Sequence, residues 1–491
     1  MFVEDSNISV KKQHGRFYTP SYIVKNILDL VGYYGNDIIK KHIIDNSCGD
    51  GAFIVEFVER YCEAYIKENS SSKGLKEDLE EYIHGIEIDN NEVEKCRQRV
   101  DLLVARYNLI GVNWDICCND TLYVDRYNGQ MDFVVGNPPY VRVHNLKEQY
   151  DRLKTFSFCS SGMTDIYLVF YEIGINMLKK DGKLGYITPS SFYNSIAGSS
   201  FRNYLFRTNK LSKIVDLKHF QPFEATTYTT IVVIENNKIK NEIEFFLYDN
   251  DNLIPYFVNT LTSKEIFIEN KFVFGTKEEL QMLKEILTYT TKKKYFEVKN
   301  GFATLFDEFF IGEFEFSDFV VPIIKASTGK WKYCIFPYKD NTLISFEEIE
   351  KKTSLKDYYI KHKQKLQSRS LERNSQWWAY GRSQGIKDIK KDKIAINTLL
   401  RDKSDIKINY CERGTAVYSG LYILTSINKE VLEDMLINDD FVNYVSLLSK
   451  YKSGGYYTFS SKDLQKYLDY KYDILNNTMN KNEQFELFAD Y

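Results

Sequence analysis

The chain has 491 residues, a net charge of −3, and 43% hydrophobic and 27% charged residues. That length supports two or three domains, each with its own core, and the near-neutral balance excludes nucleic-acid binding through global charge, so any such surface must be local. No apolar stretch is long enough to cross a bilayer, and Met1-Phe2-Val3-Glu4-Asp5 lacks the features of a signal peptide. Eight scattered cysteines without a CxxC pair fit reduced thiols in a cytoplasmic protein and argue against a metal site.

In chain order, the first expected element is a helix after Gly15-Arg16-Phe17-Tyr18-Thr19-Pro20. Thr19 can cap it, Pro20 suits its first turn, and Ile23, Ile27, Leu30 and Val31 make its apolar face. From residue 40 to 235 short apolar runs alternate with amphipathic stretches, the pattern of βαβ units around a mostly parallel sheet. Seven strands are expected: His42–Asp45, Ile83–Glu87, Asn113–Cys117, Asp132–Val135, Leu184–Thr188, Lys213–Leu217 and Thr229–Glu235. Helices are expected at Ala52–Lys67, Asn91–Tyr107 and Asp165–Lys180, the last stopped by Asp181-Gly182. The polar stretch Asn69–Gly74 reads as a surface loop.

The turns that end these strands carry the chemistry. After the first strand comes Asp45-Asn46-Ser47-Cys48-Gly49-Asp50-Gly51-Ala52-Phe53, where two glycines let the backbone pass close to a ligand before a helix begins. A dinucleotide site would want a third glycine near Ile54, so the loop favours a small adenosine-type ligand over NAD. The second strand ends Glu87-Ile88-Asp89, with a carboxylate where ribose hydroxyls would sit. The third ends near Asn119-Asp120, where an adenine amino group could be bound. The fourth runs into Asn137-Pro138-Pro139-Tyr140, a tetrapeptide that chance supplies in roughly one chain per thousand of this length. Its prolines cannot donate hydrogen bonds and stiffen the turn. The Asn137 side-chain oxygen and the Pro138 carbonyl can therefore accept from one shared donor, such as the exocyclic amino group of a nucleobase, while Tyr140 offers a face for the base. His14, His144 and His219 lie nearest these motifs and read as surface or capping residues.

In the order of these motifs the chain resembles the gamma-class DNA adenine-N6 methyltransferases of restriction–modification systems. Gly15–Pro20 is similar to the motif that contacts the methionine end of S-adenosylmethionine, which brings in Tyr18 and Thr19. Asp45–Phe53 is similar to the main cofactor loop, with Asp45, Cys48, Gly49, Gly51 and Phe53 as contacts and Asn46 where many members have proline. Glu87 with Ile88 matches the ribose-binding position, Asp120 the adenine-binding one, and Asn137 to Tyr140 the catalytic motif. The resemblance implies a Rossmann-like methyltransferase domain at 1–240 with a mixed, mostly parallel seven-stranded sheet, and an α+β DNA target-recognition domain at 241–491. It implies S-adenosylmethionine as cofactor, double-stranded DNA as partner, and a cognate restriction endonuclease acting separately. A base cannot reach such a pocket from inside a duplex, so it would flip out. A second aromatic opposite Tyr140 is then expected in Phe220–Tyr228, with Phe223 or Tyr228 as candidates. The motifs begin within twenty residues of the N-terminus, which is expected to leave no room for a nuclease upstream.

Beyond residue 240 the pattern becomes irregular and lysine-rich. Lys351–Lys403 holds 15 Lys and Arg against 5 Asp and Glu, with Gln376-Trp377-Trp378-Ala379-Tyr380-Gly381-Arg382-Ser383-Gln384 inside it. Cations neutralise phosphates while Arg and Gln read base edges, so Lys365, Trp377, Arg382 and Gln384 are expected to touch DNA. Gly301–Thr304 with Asp307–Phe310, and Tyr451–Tyr457, resemble segments of the family's recognition domains. Two other readings stay open: a protein glutamine-N5 methyltransferase, which shares the Asn-Pro-Pro-Tyr turn, and a catalytically inactive DNA-specificity protein.

Overall fold

The computed structural model describes residues 18–489 except 161, 163, 224–226, 238–240, 292, 374 and 383. Gly15, Arg16 and Phe17 of the first motif, His14, and Ser383 of the basic cluster lie outside the described residues. The chain divides into two compact units between Leu280 and Gln281.

The first unit is built on one sheet of nine strands: β1 Ile43–Asp45, β2 Ile83–Glu87, β3 Asp115–Cys118, β4 Met131–Gly136, β5 Leu178–Pro189, β6 Leu211–Asp216, β7 Thr229–Glu235, β8 Ile243–Asp249 and β9 Ile254–Leu261. Their order is β3-β2-β1-β4-β5-β7-β6-β8-β9. Strands β3 to β5 are parallel, β7 runs antiparallel between β5 and β6, β8 is parallel to β6, and β9 closes the edge antiparallel. The seven expected strands are thus present in a Rossmann-like α/β arrangement, and two more widen the sheet. The break expected near residue 240 therefore falls inside it: β8 pairs with β6 over Glu244–Leu247, and the first unit continues to Leu280.

The helices are α1 Ser21–Val31, α2 Ala52–Asn69, α3 Leu75–Tyr82, α4 Asn90–Val104, α5 Ile166–Met177 and α6 Ser199–Thr208. Helix α1 buries Ile23, Val24, Ile27, Leu28 and Val31, and Leu30 packs partly buried on the same core. It lies against β5 at Gly185, where an added Cβ would meet Val31 at 2.5 Å and Ile27 at 3.0 Å. The expected Thr19 cap is absent. Pro20 itself occupies the cap position at ψ 144° and no side chain caps the helix; Thr19 stands one residue too early. Helix α5 ends at Met177, not Lys180, because strand β5 already begins at Leu178 and pairs with Met131. Helix α3 had no counterpart among the expected elements.

The second unit has an α+β build with two four-stranded sheets. One joins Phe296–Asn300, Leu421–Thr425, Lys393–Ile396 and Ile408–Cys411, all antiparallel. The other joins Ile311–Gly312, Lys330–Ile335, Val320–Lys325 and Ala416–Tyr418. Phe302, Phe309, Phe310, Tyr359 and Tyr380 centre a core of its own. Gly301–Thr304 and Asp307–Phe310 contribute to that core; an added Cβ at Gly301 would stand 2.6 Å from the Val417 carbonyl oxygen, which explains the glycine. Among the described residues no helix is long and apolar enough to cross a membrane, and no group of three or more His, Cys, Asp and Glu is placed to hold a metal ion.

Candidate functional site

The loop between β1 and α2 is held from three sides. Asp45 is 1% exposed, and its carboxylate accepts from the Ser47 N–H at 3.0 Å. Burial pushes its pKa up to about 8; the Ser47 bond opposes the rise and the neighbouring Glu87 adds to it. The carboxylate lies so close to β4 that an added Cβ at Gly136 would be 2.6 Å from it. Asn46 is fully buried, with its side-chain oxygen accepting from the Tyr186 hydroxyl at 2.8 Å and its carbonyl from the Thr121 hydroxyl at 2.6 Å. This loop is thus fixed by side-chain hydrogen bonds at Asn46.

The two glycines of the loop do different jobs. Gly51, at φ +89°, starts α2 pressed on Cys96, where an added Cβ would come within 2.4 Å of the sulfur. Gly49 faces open space, with nothing within 4 Å of an added Cβ, and its N–H donates to Glu87 at 3.0 Å. Cys48 is buried, with its backbone N–H bonded to the Ile86 carbonyl at 2.9 Å. Phe53 is 2% exposed and packs towards Phe57 in the core.

Glu87 accepts from the Gly49 and Asp89 N–H groups at 3.0 and 3.1 Å, so the end of β2 and the glycine loop form one frame. Ile88, 55% exposed, offers an apolar surface beside it. Asp120 accepts from the Leu122 N–H at 3.0 Å and from the Gln149 amide at 2.7 Å. Asn137, directly after β4, donates its amide N–H to the Thr19 hydroxyl oxygen at 3.2 Å, and its carbonyl accepts from the Ser47 hydroxyl at 3.4 Å. Tyr18, 53% exposed, donates to Glu92 at 3.4 Å.

Tyr18, Gly49, Glu87, Ile88, Asp120, Asn137 and Pro139 line one pocket of about 1010 Å³, its open mouth included. Thr19, Asp45, Cys48, Gly51, Phe53, Pro138 and Tyr140 are not among the residues that line it. Sequence reasoning missed Ser47 and Asn46 as lining residues, although both sit inside the quoted loop. It also missed Glu92, Gln149, Leu146, Ile166 and Phe170, which come from later helices and turns and carry no motif.

Tyr140 donates its hydroxyl to the Ile187 carbonyl at 3.2 Å, and burial pushes its pKa up. Its ring meets Phe223 at 6.3 Å with planes 77° apart. Of the two aromatic candidates, Phe223 is therefore brought to Tyr140, in an edge-to-face pair and not the parallel slot of a base sandwich. Tyr228 meets the His219 ring edge-on at 5.7 Å.

In the second unit Lys365 is exposed on the short helix Lys363–Gln367. The other three residues expected on DNA are engaged within the unit. Trp377 packs on Phe346 at 4.9 Å, Arg382 donates to the Ser370 and Gly381 carbonyls, and Gln384 donates to the Gly301 carbonyl at 2.8 Å. Five more cations of the basic run, Lys352, Lys390, Lys391, Arg401 and Lys403, pair with acids. Lys391 joins Lys299 and Tyr422 around the buried Asp388; burial opposes them, yet they hold its carboxyl down at about 2.

The chain is similar to known proteins. Residues 48–223 match the family described as Eco57I restriction-modification methylase, which bears out the expected resemblance to restriction–modification methyltransferases. The chain is 29% identical over 294 residues to the type II methyltransferase M.BstVI of Geobacillus stearothermophilus, an alignment covering 57% of this chain and 50% of that one. It is 24% identical over 527 residues to the type II restriction enzyme and methyltransferase RM.Eco57I of Escherichia coli, covering 84% and 52%. The chain thus spans about half the length of these curated relatives. The structure of the type IIL restriction-modification enzyme MmeI in complex with DNA superposes with a TM-score of 0.61 at 13% identity, over 94% of this chain and 65% of that one. At that identity the likeness establishes the fold.

Proposed function

We propose that this chain is a site-specific DNA methyltransferase that transfers a methyl group from S-adenosylmethionine to N6 of a flipped-out adenine, as the modification activity of a restriction–modification system. The observation that carries this is the convergence of Gly49, Glu87, Asp120 and Asn137 on one pocket at the C-terminal edge of β1 to β4, the edge at which open α/β sheets bind ligands. The pocket fits the cofactor. The space over Gly49 lets a ligand pass the backbone, Glu87 stands where ribose hydroxyls would donate, and Asp120 and Ile88 stand where an adenine would bind. When bound, S-adenosylmethionine supplies an activated methyl group together with its own leaving group.

The residues of the chain do the rest. The adenine amino lone pair is delocalised into the ring and is a poor nucleophile. The Asn137 side-chain oxygen and the Pro138 carbonyl accept its two hydrogens and favour a tetrahedral nitrogen. They also stabilise the positive charge that develops there, a preorganised electrostatic effect. No strongly shifted general base is required. Tyr140 is the aromatic assigned to the extruded base, whose stacking would return roughly 1–3 kcal/mol against the few kcal/mol of unstacking; its edge-to-face pair with Phe223 is not itself a slot for the base. We assign catalysis to the first unit and reading of the DNA target to the second, with a separate endonuclease cutting unmodified sites.

Incubation of the chain with tritiated S-adenosylmethionine and unmethylated duplex DNA, followed by nucleoside analysis, tests the reading. Label in N6-methyladenine at one sequence is expected, and none with Asn137→Ala. Label in N4-methylcytosine, or in protein glutamine, would replace the assigned substrate.

A further inference from the structure

We propose that Gln149 is a cofactor-binding residue: its side-chain amide and the Asp120 carboxylate together recognise the adenine of S-adenosylmethionine. The inference rests on the cofactor site proposed above and deepens it. Adenine presents a donor beside an acceptor, its amino group next to a ring nitrogen. A carboxylate only accepts, so Asp120 can take the amino group and offers nothing to the ring nitrogen. A donor fixed beside Asp120 completes the match, and Gln149 supplies it.

Gln149 and Asp120 line the same pocket, and the Gln149 Nε2 donates to Asp120 Oδ2 at 2.7 Å. Because the carboxylate accepts and does not donate, this bond fixes which end of the amide faces it. The amide nitrogen carries two hydrogens; Asp120 takes one, which leaves the second for a ligand beside the carboxylate. Asp120 keeps acceptor capacity too: its Oδ1 takes the Leu122 N–H at 3.0 Å, and a carboxylate offers about four lone-pair sites. The two residues are held in one frame. Gln149 ends the turn Lys147–Gln149, which runs into the single helical turn Tyr150–Leu153. From there Arg152 donates twice to the Leu122 carbonyl, from Nε at 2.9 Å and Nη2 at 2.7 Å. Its guanidinium lies over the Tyr123 and Phe156 rings, 5.5 and 4.9 Å from their centroids. Leu122 thus bonds Asp120 through its N–H and the Gln149 segment through its carbonyl. Ile88 and Leu146 line the same pocket and offer the apolar surface that an adenine ring needs beside this polar edge.

Calorimetric titration with S-adenosylhomocysteine and with its 1-deaza- and 7-deazaadenosine analogues, each lacking one ring nitrogen, tests the pair without turnover. The parent is expected to bind one of the two analogues about 3- to 10-fold more weakly than S-adenosylhomocysteine, the range for one lost hydrogen bond. Gln149→Met keeps the length of the side chain and has no donor. It should lose about the same factor towards S-adenosylhomocysteine and bind that analogue and the natural compound alike, the signature of a direct pair. Gln149→Leu should repeat the pattern, which separates the lost donor from the packing of one replacement. Equal weakening of Gln149→Met towards all three ligands would mean that Gln149 only supports the fold. Tighter binding by Gln149→Met would mean that Gln149 blocks Asp120. Either result overturns the proposal, and so does a parent that binds all three ligands equally. The proposed function is read separately. A parent that does not bind S-adenosylhomocysteine would overturn the cofactor site and this inference together. The expected ligand pattern without methylation of DNA would support this inference and overturn the methylation target alone.

Discussion

At the C-terminal edge of β1 to β4 the first unit turns Glu87, Asp120 and Asn137 towards one pocket, while the second unit folds Arg382, Gln384 and Trp377 back onto its own carbonyls and rings. Both sets stood out in the sequence for their chemistry. The difference is in what fixes their direction. A residue at the end of a parallel strand is aimed by the sheet, and neighbouring strands aim their end residues at the same place. A cation in an irregular, loop-rich segment is aimed by whatever carbonyl or carboxylate lies near, and a long side chain has many choices. Motifs tied to strand ends therefore carry over to three dimensions, and runs of charge do not.

Experiments can break this contrast or sharpen it. The largest expected effect is at Asn137. If the strand-end frame positions the chemistry, Asn137→Ala should slow methyl transfer by about 10²–10³ or more while cofactor and DNA affinities stay near those of the parent. Near-normal turnover would remove the first unit's claim to a preorganised site. Next is Glu87→Ala, which deletes the acceptor of the Gly49 and Asp89 N–H groups as well as the ribose partner. Calorimetric titration with S-adenosylmethionine should show a loss of roughly 1.5–3 kcal/mol, and unchanged affinity in a folded variant would mean that the carboxylate serves the loop alone.

A smaller effect is expected beneath the loop. Tyr186→Phe removes the hydroxyl that donates to the Asn46 side chain and should cost about 1–2 kcal/mol of stability in denaturant titration. No change would show that Asn46 is held adequately by Thr121. In the second unit the contrast becomes a pairwise test. Lys365→Gln should make the salt dependence of DNA binding shallower by about one unit. Arg382→Ala should instead lower stability by about 1 kcal/mol through its lost carbonyl bonds, with the recognised sequence unchanged. If Arg382→Ala relaxed specificity at one base pair, the charge run would have been legible after all.

The smallest effect concerns the opposite edge of the first sheet. His42 contacts His84 at 2.9 Å, and His84 contacts Asp115 at 2.7 Å. Burial, with His84 and Lys179 nearby, lowers the His42 pKa from its ordinary 6.5. The folded state therefore disfavours the protonated ring: this contribution to stability is complete above pH 6.5 and is lost as pH falls through the lowered value. Melting temperature should drop on acidification over that range, with a flatter profile in His42→Gln. An equal slope in the variant would place the acid sensitivity elsewhere.

The alternation of apolar runs and the order of the turn motifs were enough to place the sheet, the glycine loop, Glu87, Asp120 and the Asn137 turn, because each depends on local spacing and on the fixed geometry of parallel strands. Several features needed the folded chain. The sheet gains β8 and β9 through pairing that short irregular runs do not announce. Thr19 reads locally as a helix cap, and only the approach of β4 turns its hydroxyl to Asn137. Phe223 and Tyr228 are equal in sequence, and packing alone brings Phe223 to Tyr140. The basic run looks like an open face until tertiary contacts pair or bury much of it. Backbone periodicity is a local property that the sequence determines by itself, whereas the direction of a long or small polar side chain is decided by partners far away in the chain.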